Sequence, residues 1–172
     1  MSIHQMSARV LIRPMRASDI GAVLRLQAEA YHEVVLETAA EFQHKLTFCP
    51  SGCFVAEAAD GVCGYVFSHP GRWLQPPAIG AALDATVPAD CWYLHDLVVA
   101  ERARGQRLAQ RLLAQVQQCA QAAGFDRMAL TALKQAVGYW QACGFEPVSA
   151  GRPLQGKLQQ YGDGARYMAQ AV

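Results

Sequence analysis

Apolar residues recur along this chain in two patterns, which are short continuous runs and stripes spaced three to four residues apart. The continuous runs are typical of buried strands, and the spaced stripes are typical of amphipathic helices. Strands are predicted in the runs VLIRPM, CFVAEAADGVCGYVFSHP (two runs), CWYLHDLVV, FDRMALTAL, FEPVSA and ARYMAQAV. Stripes predict helices in SDIGAVLRLQAEAYH, in the segment from Leu108 to Gly124, and in QAVGYWQACGF.

The order of these elements predicts a mixed sheet. Asp60-Gly61 joins two β-rich runs and is a strong hairpin signal, so those two strands should be antiparallel. The nearly continuous apolar run CWYLHDLVV is typical of a central strand, and the helix and strand after it imply a right-handed parallel crossover. We therefore predict an α/β (α+β) fold over residues 1–172, as a single domain with a mixed twisted sheet flanked by helices.

Composition narrows the class of protein. A chain of 172 residues suits one domain, and 52% hydrophobic residues with a net charge of +1 exclude intrinsic disorder and an extended nucleic-acid footprint. No segment has the length of a membrane span, and the first ten residues lack the apolar region of a signal peptide. We expect a cytoplasmic protein with no nucleic-acid or membrane partner.

Metal and redox chemistry are not expected. The six cysteines form no C-x-x-C pair, and His44 and His69 show no ligand spacing with them or with each other.

The segment from Gly71 to Asp90 is rich in Pro, Gly and Ala and too long for an ordinary hairpin connection. Loops of that length often act as lids over a binding site.

One segment predicts an anion site. The residues RARGQRLAQRLL follow the central strand directly, and a glycine-containing turn that opens a helix presents unpaired N–H groups to an anion. The chain has neither G-x-x-x-x-G-K-S/T nor G-x-G-x-x-G, so a nucleoside triphosphate or NAD is not expected.

The stretch from Arg104 to Ala109 resembles the Q/R-x-x-G-x-G/A pyrophosphate loop of the GNAT superfamily of acetyl-coenzyme A-dependent N-acetyltransferases. The segments IRPMRASDIGAVLRLQAEAYH, FVAEAADGVCGYVFS, AVGYWQACGFEPV and YGDGARYM are similar to other parts of that family, in the same order. The resemblance implies a GNAT fold with about six to seven strands and acetyl transfer from acetyl-CoA to a primary amine. It implies cofactor contacts from Leu97, Val98, Val99, Arg104, Gly105, Gln106, Arg107, Leu108 and Ala109.

By the same resemblance, the central strand CWYLHDLVV separates from its neighbour after Asp96, and the Val98 N–H would donate a hydrogen bond to the oxyanion. Arg107 stands where the pattern has a glycine, yet its backbone N–H can still donate and its side chain adds a cation. Arg102 and Arg104 either contact phosphate or are solvated surface charges.

The family's aromatic pair, whose second member often acts as general acid, is Tyr139-Trp140 in this chain. Trp140 cannot give up a proton at useful pH. A thiolate leaving group needs little acid assistance, so solvent, the substrate's own proton or Tyr139 could protonate the sulfur. Tyr139 aligns with the family's packing phenylalanine, which favours a core position for it.

His95 is the candidate general base. It stands where several members carry Glu or His, and its ordinary pKa suits proton transfer near neutrality. Its alternative role is a structural strand histidine. In a regular strand Asp96 would point to the opposite face, as a structural residue or a substrate-side anchor.

The acceptor remains open. We predict Tyr31, Trp73 and Asp96 as substrate contacts, and His32, Glu33 and Tyr161 are further residues that could line the pocket. The acceptor could be a small polyamine or antibiotic-like amine, an amino acid, or a protein N-terminus or lysine. The rival function is a catalytically silent acyl-CoA-binding module. A covalent route through Cys91 or Cys143 lacks an activating base, and a homodimer paired at exposed sheet edges is possible.

Overall fold

The computed structural model describes residues 9–32, 36–149 and 151–172. Its strands are β1 (Leu11–Pro14), β2 (Cys53–Ala58), β3 (Gly61–Gly71), β4 (Cys91–Val99), β5 (Arg127–Ala132), β6 (Glu146–Pro147) and β7 (Arg166–Ala171). Its α-helices are α1 (Ile20–Ala30), α2 (Ala39–Phe48), α3 (Leu108–Ala122), α4 (Val137–Ala142) and α5 (Arg152–Leu158). The strands and α1, α3 and α4 match the predicted segments, whereas the sequence pattern did not identify α2 and α5.

The seven strands form one sheet in the order β1-β2-β3-β4-β5-β7-β6. β4 and β5 are parallel neighbours, and the other paired strands are antiparallel. This confirms the predicted mixed sheet, the hairpin at Asp60-Gly61 and the crossover through α3. Gly61 has φ +114°, a value that suits glycine at this turn.

Helices cover both faces of the sheet. Phe42 of α2 stacks on Phe67 of β3 with ring centroids 4.9 Å apart, and Tyr65 packs on the same ring edge-on. The opposite face of β3 packs against α3, since a Cβ built at Gly64 would lie 3.5 Å from the Leu112 side chain. Alternate residues of β3 therefore serve two separate helical layers. In the part of the chain that the structure describes, no helix has the length and apolarity to cross a membrane.

Two irregularities of β4 position the candidate site. Asp96 pairs with Phe67 while Leu94 pairs with Ser68, so His95 is an extra residue that forms a β-bulge. β4 and β5 pair only at Trp92↔Met128 and Tyr93↔Ala129. Beyond Tyr93 the two strands part, and the sheet opens there.

Candidate active site

A cavity of about 110 Å³ lies beside the open part of the sheet. Its walls come from α1, the α1–α2 connection, the loop after β3, β4, the end of β5 and the segment before β7. The lining residues are Gln27, Tyr31, Glu37, Ile79, His95, Asp96, Thr131, Leu133 and Tyr161. The predicted residues Tyr31, His95, Asp96 and Tyr161 are thus brought together.

The bulge changes the expected orientation of Asp96. Because His95 is inserted into β4, the two side chains do not alternate across the sheet, and both line the cavity. The expectation that Asp96 points to the face opposite His95 was wrong for this reason. Tyr31 and Tyr65 each donate a hydrogen bond of 2.6 Å, one to each oxygen of the Asp96 carboxyl. Burial raises the pKa of Asp96, and these two bonds oppose part of the shift.

Glu37 holds His95 from the other side of the cavity. His95 Nε2 lies 3.1 Å from Glu37 Oε2, and the buried Lys45 donates to the other carboxyl oxygen. Burial alone would raise the pKa of Glu37, but the hydrogen bonds and charges of His95 and Lys45 lower it to about 2. Glu37 is therefore a carboxylate at neutral pH.

This contact fixes the roles of the two ring nitrogens of His95. With a carboxylate as partner, Nε2 carries the proton, so Nδ1 of the neutral ring holds a lone pair. Nδ1 is buried and has no hydrogen-bond partner within the described segments. Nδ1 is thus the proton-accepting atom of the ring, and in this structure packed atoms cover it.

His69 lies behind His95, with ring centroids 6.0 Å apart. Its Nδ1 lies 2.8 Å from the carbonyl oxygen of Pro70, and burial lowers its pKa to about 3. His69 is therefore neutral near pH 7 and adds no charge behind His95. Across residues 9–32, 36–149 and 151–172, no group of three His, Cys, Asp or Glu side chains could hold a metal ion.

Sequence reasoning missed Glu37 and the residues that support it. Gln27 brackets the Glu37 backbone, donating to its carbonyl at 3.0 Å and accepting from its N–H at 2.8 Å. Next in the chain, Thr38 and Glu41 form a capping box at the start of α2. That T-x-x-E pattern was readable, and it would have predicted α2 and placed Glu37 at a helix entrance.

The loop between β4 and α3 has the geometry expected for an anion site. Gly105 has φ +80°, and Arg107 has φ +56° and ψ 29° as the residue that caps α3. Arg107 thus adopts the left-handed conformation that glycine favours, one position before the first helical turn. The first backbone bond closing the helix runs from Arg111 N to Arg107 O, which leaves the N–H groups of the first turn free of helical partners.

The backbone of β4 shows which N–H groups face the gap. Ala100 N donates to Cys63 O at 2.8 Å, toward β3. Antiparallel pairs alternate between bonded and non-bonded, so the Val98 N–H also points toward β3, at its partner Tyr65. The prediction of Val98 as oxyanion donor was therefore wrong. By the same alternation, the N–H groups of Leu97 and Val99 point toward the gap left by β5.

The two arginines near the loop have different partners. Arg102 is ion-paired with Asp60 at 2.8 Å and donates to the Val62 carbonyl, so it is anchored to the β2–β3 hairpin. The Arg104 side chain is 70% exposed and lies 4.0 Å from Glu101. Of these two residues, Arg104 is the one whose guanidinium is available to a phosphate.

Several predicted residues lie elsewhere. Trp73 is not among the cavity residues; it packs edge-on against Tyr167, and Arg127 lies 4.2 Å above its ring. Its assignment as a substrate contact does not fit this position, because its ring packs against Tyr167 and Arg127 instead. His32 is exposed and does not line the cavity, and Glu33 lies outside the described residues.

Tyr139 is also absent from the cavity wall. It is 39% exposed on α4, whereas Trp140 is buried against Phe145. The core position favoured for Tyr139 is thus taken by Trp140 instead. Burial and a hydrogen bond with Cys143 raise the pKa of Tyr139, which makes it a weaker acid.

Burial raises the pKa of Cys91 to about 11, so its thiol is protonated near neutrality.

The chain is similar to known proteins in sequence and in fold. A model of the acetyltransferase (GNAT) family matches residues 21–145. A search of curated protein sequences gave no significant match.

Solved structures share the fold at low sequence identity. The loading GNATL domain of CurA from Lyngbya majuscula has a TM-score of 0.73 at 15% identity, covering 94% of this chain and 96% of that one. Arabidopsis thaliana Naa50, solved with a bisubstrate analogue, has a TM-score of 0.67 at 13% identity, with 95% and 99% covered. N-acetylglutamate synthase from Neisseria gonorrhoeae, complexed with coenzyme A and N-acetyl-glutamate, has a TM-score of 0.70 at 17% identity. The match covers 96% of this chain and 35% of that one.

Proposed function

Because this chain belongs to the acetyltransferase (GNAT) family, we propose that it transfers the acetyl group of acetyl-CoA to a primary amine by direct attack in a ternary complex. The observation that carries the proposal is the His95–Glu37 pair in a cavity beside the open part of the sheet. A histidine held in one tautomer by a carboxylate is suited to accept a proton from an attacking amine.

The residues on either side of the gap fit coenzyme A as a substrate. Leu97 and Val99 direct N–H groups toward the gap, where an extended chain with amide groups could pair with them. The segment from Arg104 to Ala109 would hold the pyrophosphate through free N–H groups at the start of α3 and through nearby guanidinium groups. Bound there, acetyl-CoA supplies an activated thioester.

His95 would move one proton during the reaction. Its Nδ1 accepts a proton from the substrate ammonium, and the free amine attacks the thioester carbonyl. The new C–N bond forms and the C–S bond breaks, so the sulfur leaves as a thiolate. The nitrogen of the new bond still carries an extra proton, which it gives up to the thiolate or to solvent, and the His95 imidazolium returns its own proton to solvent. Glu37 stabilises that imidazolium and remains ionised, since its pKa of about 2 makes it a poor base.

Replacing His95 tests this proposal. For His95→Gln we expect kcat to fall by roughly 10²- to 10⁴-fold while the Kd for acetyl-CoA stays within a factor of about two. Release of coenzyme A thiol and the mass of the acetylated amine give the rate, and calorimetry gives the Kd. His32→Gln is the matched control, because His32 is exposed and outside the cavity. Equal rates for His95→Gln and wild type would contradict the assignment of His95 as the base.

A catalytically silent acyl-CoA-binding module is the second candidate. Supporting it, Trp140 is buried and the exposed Tyr139 does not line the cavity, so the cavity wall holds no phenol from α4. A silent module would bind acetyl-CoA in calorimetry yet release no thiol with any amine tested. In that case wild type and His95→Gln would be indistinguishable in every transfer assay.

A further inference from the structure

The described part of the cavity wall carries two carboxyl side chains and neither lysine nor arginine. The two carboxyl groups belong to Glu37 and Asp96. The cation behind the wall, Lys45, is only 3% exposed and is paired with Glu37. A ligand carboxylate would find no cationic partner here, whereas an ammonium group would find Asp96.

Most hydrogen-bond donors of the cavity wall are already used. The hydroxyl of Tyr31 donates to Asp96, that of Tyr161 donates to the Pro77 carbonyl at 2.7 Å, and Gln27 donates to Glu37. The Thr131 hydroxyl is paired with Tyr93 at 2.9 Å.

Acceptors remain available in the same wall. Each Asp96 oxygen has received one hydrogen bond from a tyrosine and keeps a further lone pair. His95 Nδ1 also lacks a partner among the described residues, but packed atoms cover it in this structure. A wall rich in acceptors and poor in donors is complementary to a group that only donates. A primary ammonium, with three N–H donors and no acceptor, is such a group.

The size of the cavity limits the rest of the ligand. Its volume of about 110 Å³ is smaller than a cavity of about 150 Å³ that admits the six carbons of benzene, so it holds roughly four to five heavy atoms. Ile79 and Leu133 supply apolar surface for that part of the ligand.

The loop after β3 contributes Ile79 to the cavity wall and is hydrogen-bonded to neighbouring segments at two points. Pro77 accepts a hydrogen bond from Tyr161, and Leu83 N donates to His44 Nε2 of α2 at 2.9 Å. The loop is therefore held by hydrogen bonds to Tyr161 and to α2, and Ile79 lies between the two bonded positions in the sequence. Ile79 is thereby fixed in the wall, which together with the small volume favours a compact acceptor.

We infer that the acceptor is a small primary monoamine with a compact apolar substituent and no carboxylate, whose ammonium group is bound by Asp96. This inference rests on the proposed function and selects among its possible acceptors. Tyr31 and Tyr65 act as positioning residues, since their hydroxyls fix the carboxyl of Asp96. Amino acids, polyamines and protein N-termini become the disfavoured acceptors.

Isobutylamine and valine form the matched pair that tests the inference, because valine is isobutylamine with a carboxylate on the carbon that bears the nitrogen. We expect isobutylamine to bind the protein in calorimetry and to be acetylated with a kcat/KM at least roughly 30-fold above that of valine. A short peptide with an N-terminal valine and the diamine putrescine complete the panel, and both should be poorer than isobutylamine.

The variant Asp96→Asn keeps the size of the side chain and removes its charge. We expect its affinity for isobutylamine to fall roughly 10- to 100-fold while its affinity for acetyl-CoA, which reports folding, is unchanged. Ile79→Ala provides an independent test that leaves the polar groups intact. It should raise the preference for benzylamine over isobutylamine roughly tenfold, whereas Val87→Ala, an exposed position of the same loop, should not.

The outcomes separate the two proposals. Equal or better acetylation of valine, putrescine or the peptide would overturn the acceptor class and leave acetyl transfer standing. Binding of isobutylamine that depends on Asp96, without acetylation of any amine, would overturn the transfer proposal and keep the ligand class. Failure of isobutylamine to bind the wild-type protein would overturn the inference directly.

Discussion

The loop after β4 and the cavity on β4 follow one another along the chain, yet they are built in opposite ways. In the loop, the residues from Arg104 to Arg107 are exposed, and the site consists of backbone N–H groups and solvated cations. In the cavity, Glu37, His95 and Asp96 are enclosed and hydrogen-bonded to side chains from distant parts of the chain. One site depends on local dihedral angles, and the other depends on the packing of the whole fold.

This difference determines how each site should respond to mutation. A change in the loop alters anion affinity and leaves the core untouched, because its side chains make few buried contacts. A change in the cavity leaves a buried polar group without its partner, and the cost of that group appears in the free energy of unfolding. The two kinds of variant should therefore separate ligand binding from stability.

The largest stability effect is expected at Glu37. Glu37→Gln leaves Lys45, 3% exposed, with an uncompensated buried charge, and we expect a loss of about 3 kcal/mol in the free energy of unfolding at pH 7. The Kd for acetyl-CoA should be unchanged. Urea denaturation gives the first quantity and calorimetry the second. In the double variant Glu37→Gln/Lys45→Met the charge is removed as well, and most of the loss should be recovered.

The same pair predicts a pH dependence. The pKa of Glu37 is lowered on folding from its ordinary 4.5 to about 2, so its ionisation stabilises the folded state above about pH 4.5. That contribution is lost as the pH falls from about 4.5 toward 2. The stability difference between wild type and Glu37→Gln should therefore shrink over this range, and a difference independent of pH would contradict the ion pair.

Gly105→Glu should have the largest effect on the loop. It places a carboxylate beside the pyrophosphate position and a Cβ at φ +80°, and we expect acetyl-CoA to bind at least roughly 100-fold more weakly. Gly105→Ala, which carries the strain without the charge, is the control and should lose much less affinity. Binding retained by the Glu variant would show that the loop is not the anion site.

How well the sequence predicted each region follows from the same distinction. The loop, the hairpin at Asp60-Gly61 and the helix after Arg107 are encoded by neighbouring residues, and the structure matches their predicted positions. The cavity is assembled from contacts such as Tyr31–Asp96 and Glu37–His95, which span 65 and 58 residues. Spacing along the chain cannot show such contacts.

Two errors concern the pairing of β4 with β3. Asp96 was assigned to the wrong face, and the reason is the bulge at His95, which period-2 alternation does not reveal. Val98 was assigned to the gap, whereas the bonding pattern fixed by Ala100 and Cys63 turns its N–H toward β3. Bulges are set by pairing with the neighbouring strand, so they are visible only when the register is known.

A smaller effect is expected from the exposed arginines. Arg104→Gln should weaken acetyl-CoA binding roughly three- to tenfold and reduce its salt dependence, because the Arg104 guanidinium is solvated and available. Arg102→Gln should weaken it less, since that guanidinium is held by Asp60. Calorimetry at two ionic strengths measures both quantities, and an equal loss in both variants would show that Arg102 leaves Asp60 to reach the phosphates.

The smallest effect concerns the backbone of Arg107. A left-handed residue with a Cβ is strained by about 1 kcal/mol, so Arg107→Gly should be more stable than Arg107→Ala by about that amount, less the greater flexibility of glycine in the unfolded chain. Both variants lose the guanidinium, so any affinity difference between them reports the backbone alone. If Arg107→Ala is as stable as Arg107→Gly, the left-handed conformation at the start of α3 is wrong. If both bind acetyl-CoA equally but more weakly than wild type, the side chain rather than the backbone supplies what the family's glycine does not.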